Sequence, residues 1–296
     1  MKVGVFLETI NYPHYRMCLE QFALGLKKCG VDYFTADSKT FSPCDVAIFY
    51  GAWKNRTTPR HVMRKYIYDS GMPFIALETP LLGRILTDRP RYLRAGVGHF
   101  VNTLGNFNNK NKTSDRWNKL TADLNIDVKP WRNYGQYILL ALQQPDDGSL
   151  LGANISKWAY DTVLEIRRYS NRPIVIRAHP KPRQYDMDLI RKACEVSDVT
   201  YASPNAVTMK QHLQSAWATV TYTSGLAIDS VVSGVPAYGM SPGSFVYDLE
   251  HDLSTIGNPK TYDRSQWLND MAYTQWTPDE MAEGLPWLHL KDVLHP

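Results

Sequence analysis

Two short stretches about forty residues apart carry the side chains best suited to chemistry. They are Arg172-Pro-Ile-Val-Ile-Arg177-Ala-His179-Pro180-Lys181, and Thr221-Tyr-Thr223-Ser224-Gly225-Leu-Ala-Ile-Asp229 running on to Gly234-Val-Pro236. Each reads as an apolar strand that ends in polar residues, the layout in which an open α/β sheet binds ligands beyond the carboxyl ends of its strands. In the second stretch a strand gives way to a helix. Backbone N–H groups there, with the hydroxyls of Thr223 and Ser224, suit a diphosphate, and Gly225 permits close approach. The plain alternative is that Ser224 caps the helix. Asp229, one turn on, is placed to accept hydrogen bonds from ribose hydroxyls, or it is a surface carboxylate on a half-exposed helix.

In the first stretch Arg177 and His179 share one side of the pleat and Pro180 and Lys181 follow. Arg177, His179 and Lys181 together suit a phosphate, and His179 can hydrogen-bond or protonate it as it departs; a lone histidine at a strand end also serves structure alone. Gln143 stands just after a further strand, at the same sheet edge, and leads into Gln144-Pro145-Asp146-Asp147-Gly148. Paired acids there suit Mg²⁺ or sugar hydroxyls, but Asp-Asp-Gly is also an ordinary turn, the reading favoured for Asp147.

The first half of the chain offers candidates for a base that activates an acceptor hydroxyl. Glu8 ends the first strand, His14 follows in the same loop, and Asp115 lies beside Arg116 and Trp117. Glu78 closes another strand, where it binds ligand or pairs with Arg84, Arg91 or Arg94. Between Trp53 and Arg132 there are 15 Lys and Arg against 6 Asp and Glu, a local excess of +9 in a chain whose net charge is +4. Arg91, Arg94, Lys110, Lys112 and Arg116, interleaved with aromatic residues, suit a polyanion such as a nucleic-acid backbone; a solvated basic face is the alternative.

These residues need a scaffold, and the hydrophobic pattern predicts one. Strands are expected at Lys2–Leu7, Val31–Phe34, Val46–Tyr50 and Phe74–Leu77, with helices at Tyr15–Cys29 and Pro59–Gly71 between them. The stretch from Thr79 to Tyr134 weakens into an irregular, functional loop region. Alternation resumes with strands at Tyr137–Leu142, Ile174–Arg177, Val199–Tyr201, Ala218–Thr221 and Val235–Tyr238, and helices starting at Ile155, Asp186, Thr208 and Leu226. The expected fold is α/β: two Rossmann-like domains facing across a cleft. Residues 1–134 form the acceptor-binding domain and 135–262 the ligand-binding domain. Residues 263–296 lack strand signals and form helices packing back on the first domain.

Composition excludes several classes. Hydrophobic residues at 44% and charged residues at 21% rule out a disordered chain. No apolar run is long enough for a membrane span and the N-terminus lacks a signal-peptide core, so a cytoplasmic protein without stable membrane association is expected. Cys18, Cys29, Cys44 and Cys194 show no CxxC spacing, so no cysteine metal site is expected.

The segment from Ser224-Gly225 through Asp229 to Gly234-Val-Pro236 resembles the strand–helix signature of GT-B glycosyltransferases. In that family an acidic residue five positions before Gly-x-Pro contacts the ribose of a nucleotide sugar. His179-Pro180 resembles the His-Pro motif of bacterial sialyltransferases and capsule-building Kdo transferases. Asp115-Arg-Trp, Lys129-Pro-Trp-Arg, Leu142-Gln-Gln-Pro, Trp158 and the Arg172–Pro180 stretch resemble small phage-encoded glycosyltransferases, some of which add sugar to hydroxymethylated cytosine in DNA. The resemblance implies transfer from a nucleotide sugar, UDP-arabinose or UDP-glucose for example, to a hydroxymethyl base flipped out of phage DNA. Arg177, His179, Ser224 and Asp229 would hold the donor, and Glu8 or Asp115 would act as base. No further cofactor is required, with Mg²⁺ as an option. The alternatives are a Kdo- or sialyl-type transferase that uses a CMP-sugar to build a surface polysaccharide, and a nucleotide- or DNA-binding protein without catalysis.

Overall fold

Short runs of β-branched and aromatic residues alternate with helical stretches along most of the chain. The computed structural model describes residues 1–53, 57–83, 92–181, 184–204 and 206–294. Its first elements are β1 (Lys2–Leu7), α1 (Pro13–Lys28), β2 (Asp32–Asp37), β3 (Val46–Tyr50), α2 (Pro59–Asp69), β4 (Phe74–Glu78), β5 (Leu93–Val97) and α3 (Asp115–Leu124). There follow β6 (Tyr137–Ala141), α4 (Ile155–Arg167), β7 (Ile174–Arg177), α5 (Met187–Cys194), β8 (Val199–Ala202), α6 (Met209–Ser215), β9 (Ala216–Thr221), α7 (Leu226–Val232) and β10 (Ala237–Gly239). The chain closes with α8 (Ser265–Ala272), β11 (Gln275–Trp276), α9 (Pro278–Ala282) and α10 (Leu285–Leu290).

The chain divides into two units, residues 1–126 with 264–296, and residues 127–263. The connecting stretch 127–134 belongs to the second unit because its backbone is tied there: Lys129 N donates to Val232 O at 2.9 Å and Arg132 N to Gly234 O at 2.8 Å.

The second unit is a five-stranded parallel sheet in the order β10-β9-β6-β7-β8. Ile138, Leu140, Ile176 and Val220 pack on one face with α4 and α5, and Leu139, Ala141 and Leu226 pack on the other. Burial on both faces is why these strands read as unbroken apolar runs. Helix starts are capped by their own sequence: Asn154 accepts from Ser156 N and Lys157 N, and Thr208 and Gln211 form a capping box.

The first unit is a six-stranded sheet in the order β11-β5-β4-β3-β1-β2. Its β1 to β4 are parallel, but β5 runs antiparallel to β4, and β11 antiparallel to β5. The expected irregular region therefore contains a strand and α3, and the C-terminal segment contributes a strand as well as helices. Leu93-Arg-Ala-Gly-Val is too short to signal itself and pairs with Gln275–Trp276, about 180 residues away; strand formation at such a site is decided by the partner. The C-terminal helices then cover the sheet beside α1, where Met281, Trp287 and Leu290 join Leu19, Phe22 and Leu26. The approach is so close that a Cβ on Gly25 would lie 2.0 Å from Met281 O.

On the other sheet face His99, only 3% exposed, packs against Trp53 and Phe100 with ring centroids at 4.7 and 4.5 Å. Burial, helped by Arg94, pushes its pKa down to about 4. His289 is likewise pushed down to about 4, mainly by burial. A folded-state pKa below the unfolded value means that the unfolded chain binds more protons between about pH 6.5 and 4, so stability falls on acidification through that window. His99 alone is expected to remove up to about 3 kcal/mol. Urea midpoints at neutral pH and near pH 4.5 check this: His99→Phe should flatten the difference, and an unchanged pH dependence would refute the assignment.

Candidate functional site

In an open α/β sheet, ligands bind beyond the carboxyl ends of the strands where strand order reverses. In the second unit that point lies between β6 and β9. The residues leaving these two strands are Gln143 and Thr223, and they are bonded to each other. Gln143 Oε1 accepts from Thr223 N at 2.8 Å, and Gln143 Nε2 donates to Thr223 Oγ1 at 2.9 Å and to Ser149 Oγ at 2.8 Å. Thr223 Oγ1 in turn donates to Ser149 O at 3.0 Å. Gln143 is buried, so its amide serves to hold the loops together.

The third strand end joins the same assembly. His179 N donates to Tyr185 Oη at 3.0 Å, and Tyr185 Oη donates to Gln143 O at 3.1 Å. Lys181 N donates to His179 Nδ1 at 3.1 Å. A backbone N–H can only donate, so Nδ1 carries the lone pair and Nε2 carries the proton in the neutral ring, which makes Nε2–H a donor. Pro180 and Lys181 are exposed beside it.

Ser224 Oγ accepts from Leu226 N at 3.3 Å, a local turn at the start of α7. Gly225 is buried at that start, and Asp229, one turn along, is half-buried. Asp147 Oδ1 accepts from Ser149 N at 2.9 Å and from Ser149 Oγ at 2.8 Å, capping a short 3-10 turn. Among the described residues no group of three or more His, Cys, Asp or Glu is arranged to hold a metal ion.

Arg177 stands apart from this assembly. Its buried Nη2 donates to Pro204 O at 3.1 Å and Val207 O at 3.3 Å, and burial lowers its pKa. The shared pleat with His179 ends with the strand, so Arg177 braces the loop between β8 and α6.

In the first unit the order reverses between β1 and β3. Glu8 leaves β1 there with its side chain 1% exposed; Oε1 pairs with Arg64 and Oε2 lies 3.6 Å from Arg60 Nη1. Arg64 Nη1 also donates to Ala52 O at 3.4 Å, beyond β3, so the ion pair bridges the switch point. Both carboxylate oxygens are engaged and out of solvent. Glu8, read from the sequence as a candidate base, is thus a buried carboxylate ion-paired within this unit.

Asp115 is exposed at the start of α3 and accepts from Thr113 and, at 2.8 Å, from Tyr273. The Thr113 hydrogen bond, then that of Tyr273, holds its pKa below the usual value. His14 is half-buried near Cys18 Sγ, at 3.9 Å. Glu78 Oε1 accepts from Thr79 N at 2.8 Å.

The basic strip is largely committed to the fold. Arg116 donates to Glu280 Oε1 at 3.0 Å and Gln275 O at 2.8 Å, and lies 3.9 Å over the Trp276 ring. Burial alone would raise the pKa of Glu280, but hydrogen bonds from Arg116 and Lys119 outweigh it and lower it. Arg94 is buried beside Phe100, and Arg132 donates to three carbonyls, of Leu213, Gln214 and Ala216. Lys110 remains exposed, and Lys112 is half-buried with Nζ 5.6 Å from the Tyr273 ring. Arg91 and Arg84 lie outside the described residues.

Tyr185 and Ser149 were not singled out from the sequence. Tyr185 precedes the Asp186 cap of α5, the position from which a residue commonly packs back on its helix. That signal suggests packing and gives no hint of the hydrogen bonds.

No protein-family model matches this sequence, and no curated protein matches it. Among solved structures the chain is similar to the beta Kdo 2,4 transferase of Thermosulfurimonas dismutans KpsC. The TM-score is 0.55 at 17% identity, covering 94% of this chain and 92% of that one. It is also similar to the beta Kdo 2,7 transferase of the same KpsC, with a TM-score of 0.53 at 12% identity, covering 97% and 98%. Two Rossmann-like units, the second wholly parallel, and likeness over nearly the full length of both structures identify the fold of this chain as GT-B.

Proposed function

We propose that this protein is a glycosyltransferase that binds a nucleotide-sugar donor beyond β6, β7 and β9 of the second unit. The carrying observation is the bonded assembly of Gln143, Thr223, Tyr185 and His179 at the point where strand order reverses, in a GT-B fold shared with Kdo transferases. In this reading His179 Nε2–H and the Lys181 ammonium meet the donor phosphate. Ser224 and Gly225 line its path, and Asp229 takes the ribose hydroxyls. As phosphate leaves with the sugar bond, these groups stabilise the charge that develops on its oxygens. Asp115 is the candidate base whose carboxylate is accessible.

The acceptor is a glycan and the donor a CMP-linked sugar, in the manner of a Kdo-type transferase. Two observations support this over hydroxymethylcytosine DNA. The two solved structures described above are named as Kdo transferases, and Arg64, Arg94, Arg116 and Arg132 of the basic strip are turned to internal partners. Salt-dependent binding to a phosphate backbone needs free cations. No helix among the described residues is long and apolar enough to cross a membrane.

The test is a panel of CMP- and UDP-linked sugars, each offered with oligosaccharide acceptors and with hydroxymethylcytosine DNA, and read by release of CMP or UDP and by product mass. Turnover of a CMP-sugar onto a glycan is expected. A mass increment on DNA would replace the acceptor, and no turnover of any donor, with nucleotide binding intact, would reduce the protein to a binding module.

A further inference from the structure

Past the last ladder bonds of β7, from Leu142 N to Arg177 O and from Ala178 N to Ala202 O, one hydroxyl ties His179 to Gln143. Tyr185 Oη accepts from His179 N and donates to Gln143 O, so both of its ordinary hydrogen-bonding roles are used. Gln143 passes the connection on through its side-chain amide to Thr223 and Ser149. The sheet ladder already joins these strands, and the residues just beyond it, His179, Gln143 and Thr223, are coupled through Tyr185; no other described hydrogen bond links His179 to Gln143. The tyrosine itself is rigidly seated. The residue is 7% exposed within the α4/α5 core cluster, and the next residue, Asp186, donates its N–H to Ser156 Oγ of α4 at 3.0 Å while capping α5. Burial raises the phenol pKa, so the hydroxyl keeps the proton it donates.

We propose that Tyr185 is a positioning residue that sets His179 against the Thr223 side of the site, so that one phosphate-linked donor meets both; this rests on the nucleotide-sugar reading of the site. The hydroxyl touches no donor atom. It acts by fixing the backbone of His179, whose ring is then turned by the Lys181 N–H. Loss of the hydroxyl leaves the His179 N–H and the Gln143 carbonyl without this shared partner, and His179 is no longer tied to the Gln143–Thr223 assembly.

The experiment uses the full chain with Tyr185→Phe, which keeps the ring in the core, alongside His179→Ala and the double variant. CMP and UDP are titrated calorimetrically. Tyr185→Phe should weaken binding of whichever nucleotide the native protein takes by roughly tenfold. The double variant should bind no more weakly than His179→Ala alone, because a residue acting through His179 has nothing left to position. A purely structural role would instead give losses that add, and that result, like native affinity in Tyr185→Phe, overturns the proposal. If the native protein binds neither nucleotide, the donor reading fails separately. The ¹⁵N spectrum of the His179 ring then decides on positioning: Tyr185→Phe should shift the ring nitrogens, and an unshifted spectrum rejects it. Should Tyr185→Phe not fold, 3-fluorotyrosine at position 185 retains shape while changing the strength of the hydroxyl hydrogen bond, and the His179 amide resonance must move.

Discussion

Glu8→Ala is expected to cost about 3–5 kcal/mol of stability, the range for removing one partner of a buried ion pair. The reason lies with the group left behind. Arg64 is itself buried, burial already lowers its pKa, and Glu8 is the largest influence working the other way. Without Glu8, Arg64 keeps a 3.4 Å contact to Ala52 O and faces the like charge of Arg60. Glu8→Met with Arg64→Met should recover most of the loss, since removing both charges removes the desolvation penalty too. Denaturant midpoints of the two single variants and the double variant measure it. A Glu8→Ala protein as stable as the native one, yet without activity, would restore Glu8 to the reaction.

His179→Ala should weaken nucleotide binding by about 1.5–3 kcal/mol, roughly ten- to 150-fold, as expected for a hydrogen bond to a charged group. Asp229→Ala should also weaken it, through the ribose. His179 is half-buried past the end of β7 and its backbone remains bonded to Tyr185 in the alanine variant, so the fold should persist. Titration of CMP and UDP against both variants, with unfolding curves recorded alongside, separates binding from stability. Native affinity in both would remove the donor site from this sheet edge.

The second unit was the more legible half of the chain. Its parallel strands are buried on both faces, so Ile174–Arg177 and Ala216–Thr221 announce themselves as apolar runs, and the caps Asn154, Asp186 and Thr208 mark helix starts. The first unit was legible only as far as β4. Its antiparallel edge is built from two short strands far apart in sequence, neither carrying enough local preference to be recognised without the other.

Among site residues the same division holds. Residue type and spacing were enough to bring His179, Thr223 and Gln143 to one sheet edge, because all three directly follow strands that the β-α alternation makes parallel, and parallel strands share their carboxyl edge. Type and spacing also offered Arg177 as a donor contact, Glu8 as a candidate base, and Arg94 and Arg116 as acceptor-binding cations. A side chain's partner depends on what packs above it, and that is not local. Pro204 and Val207 take Arg177, Arg64 takes Glu8, and Glu280 takes Arg116.

The amino-acid sequence by itself thus determined the α/β class, the parallel strands and the polar strand ends, because these follow from periodicity and capping within a few residues. Only the tertiary structure decided which of the polar groups are taken up by internal partners. A buried charge must find a counter-charge or carbonyl wherever the fold supplies one, and those partners lie 27 to 164 residues away in the chain. The two motifs that carry the candidate site are joined in the same way, through Tyr185 and Gln143, by hydrogen bonds that exist only once the strands are side by side.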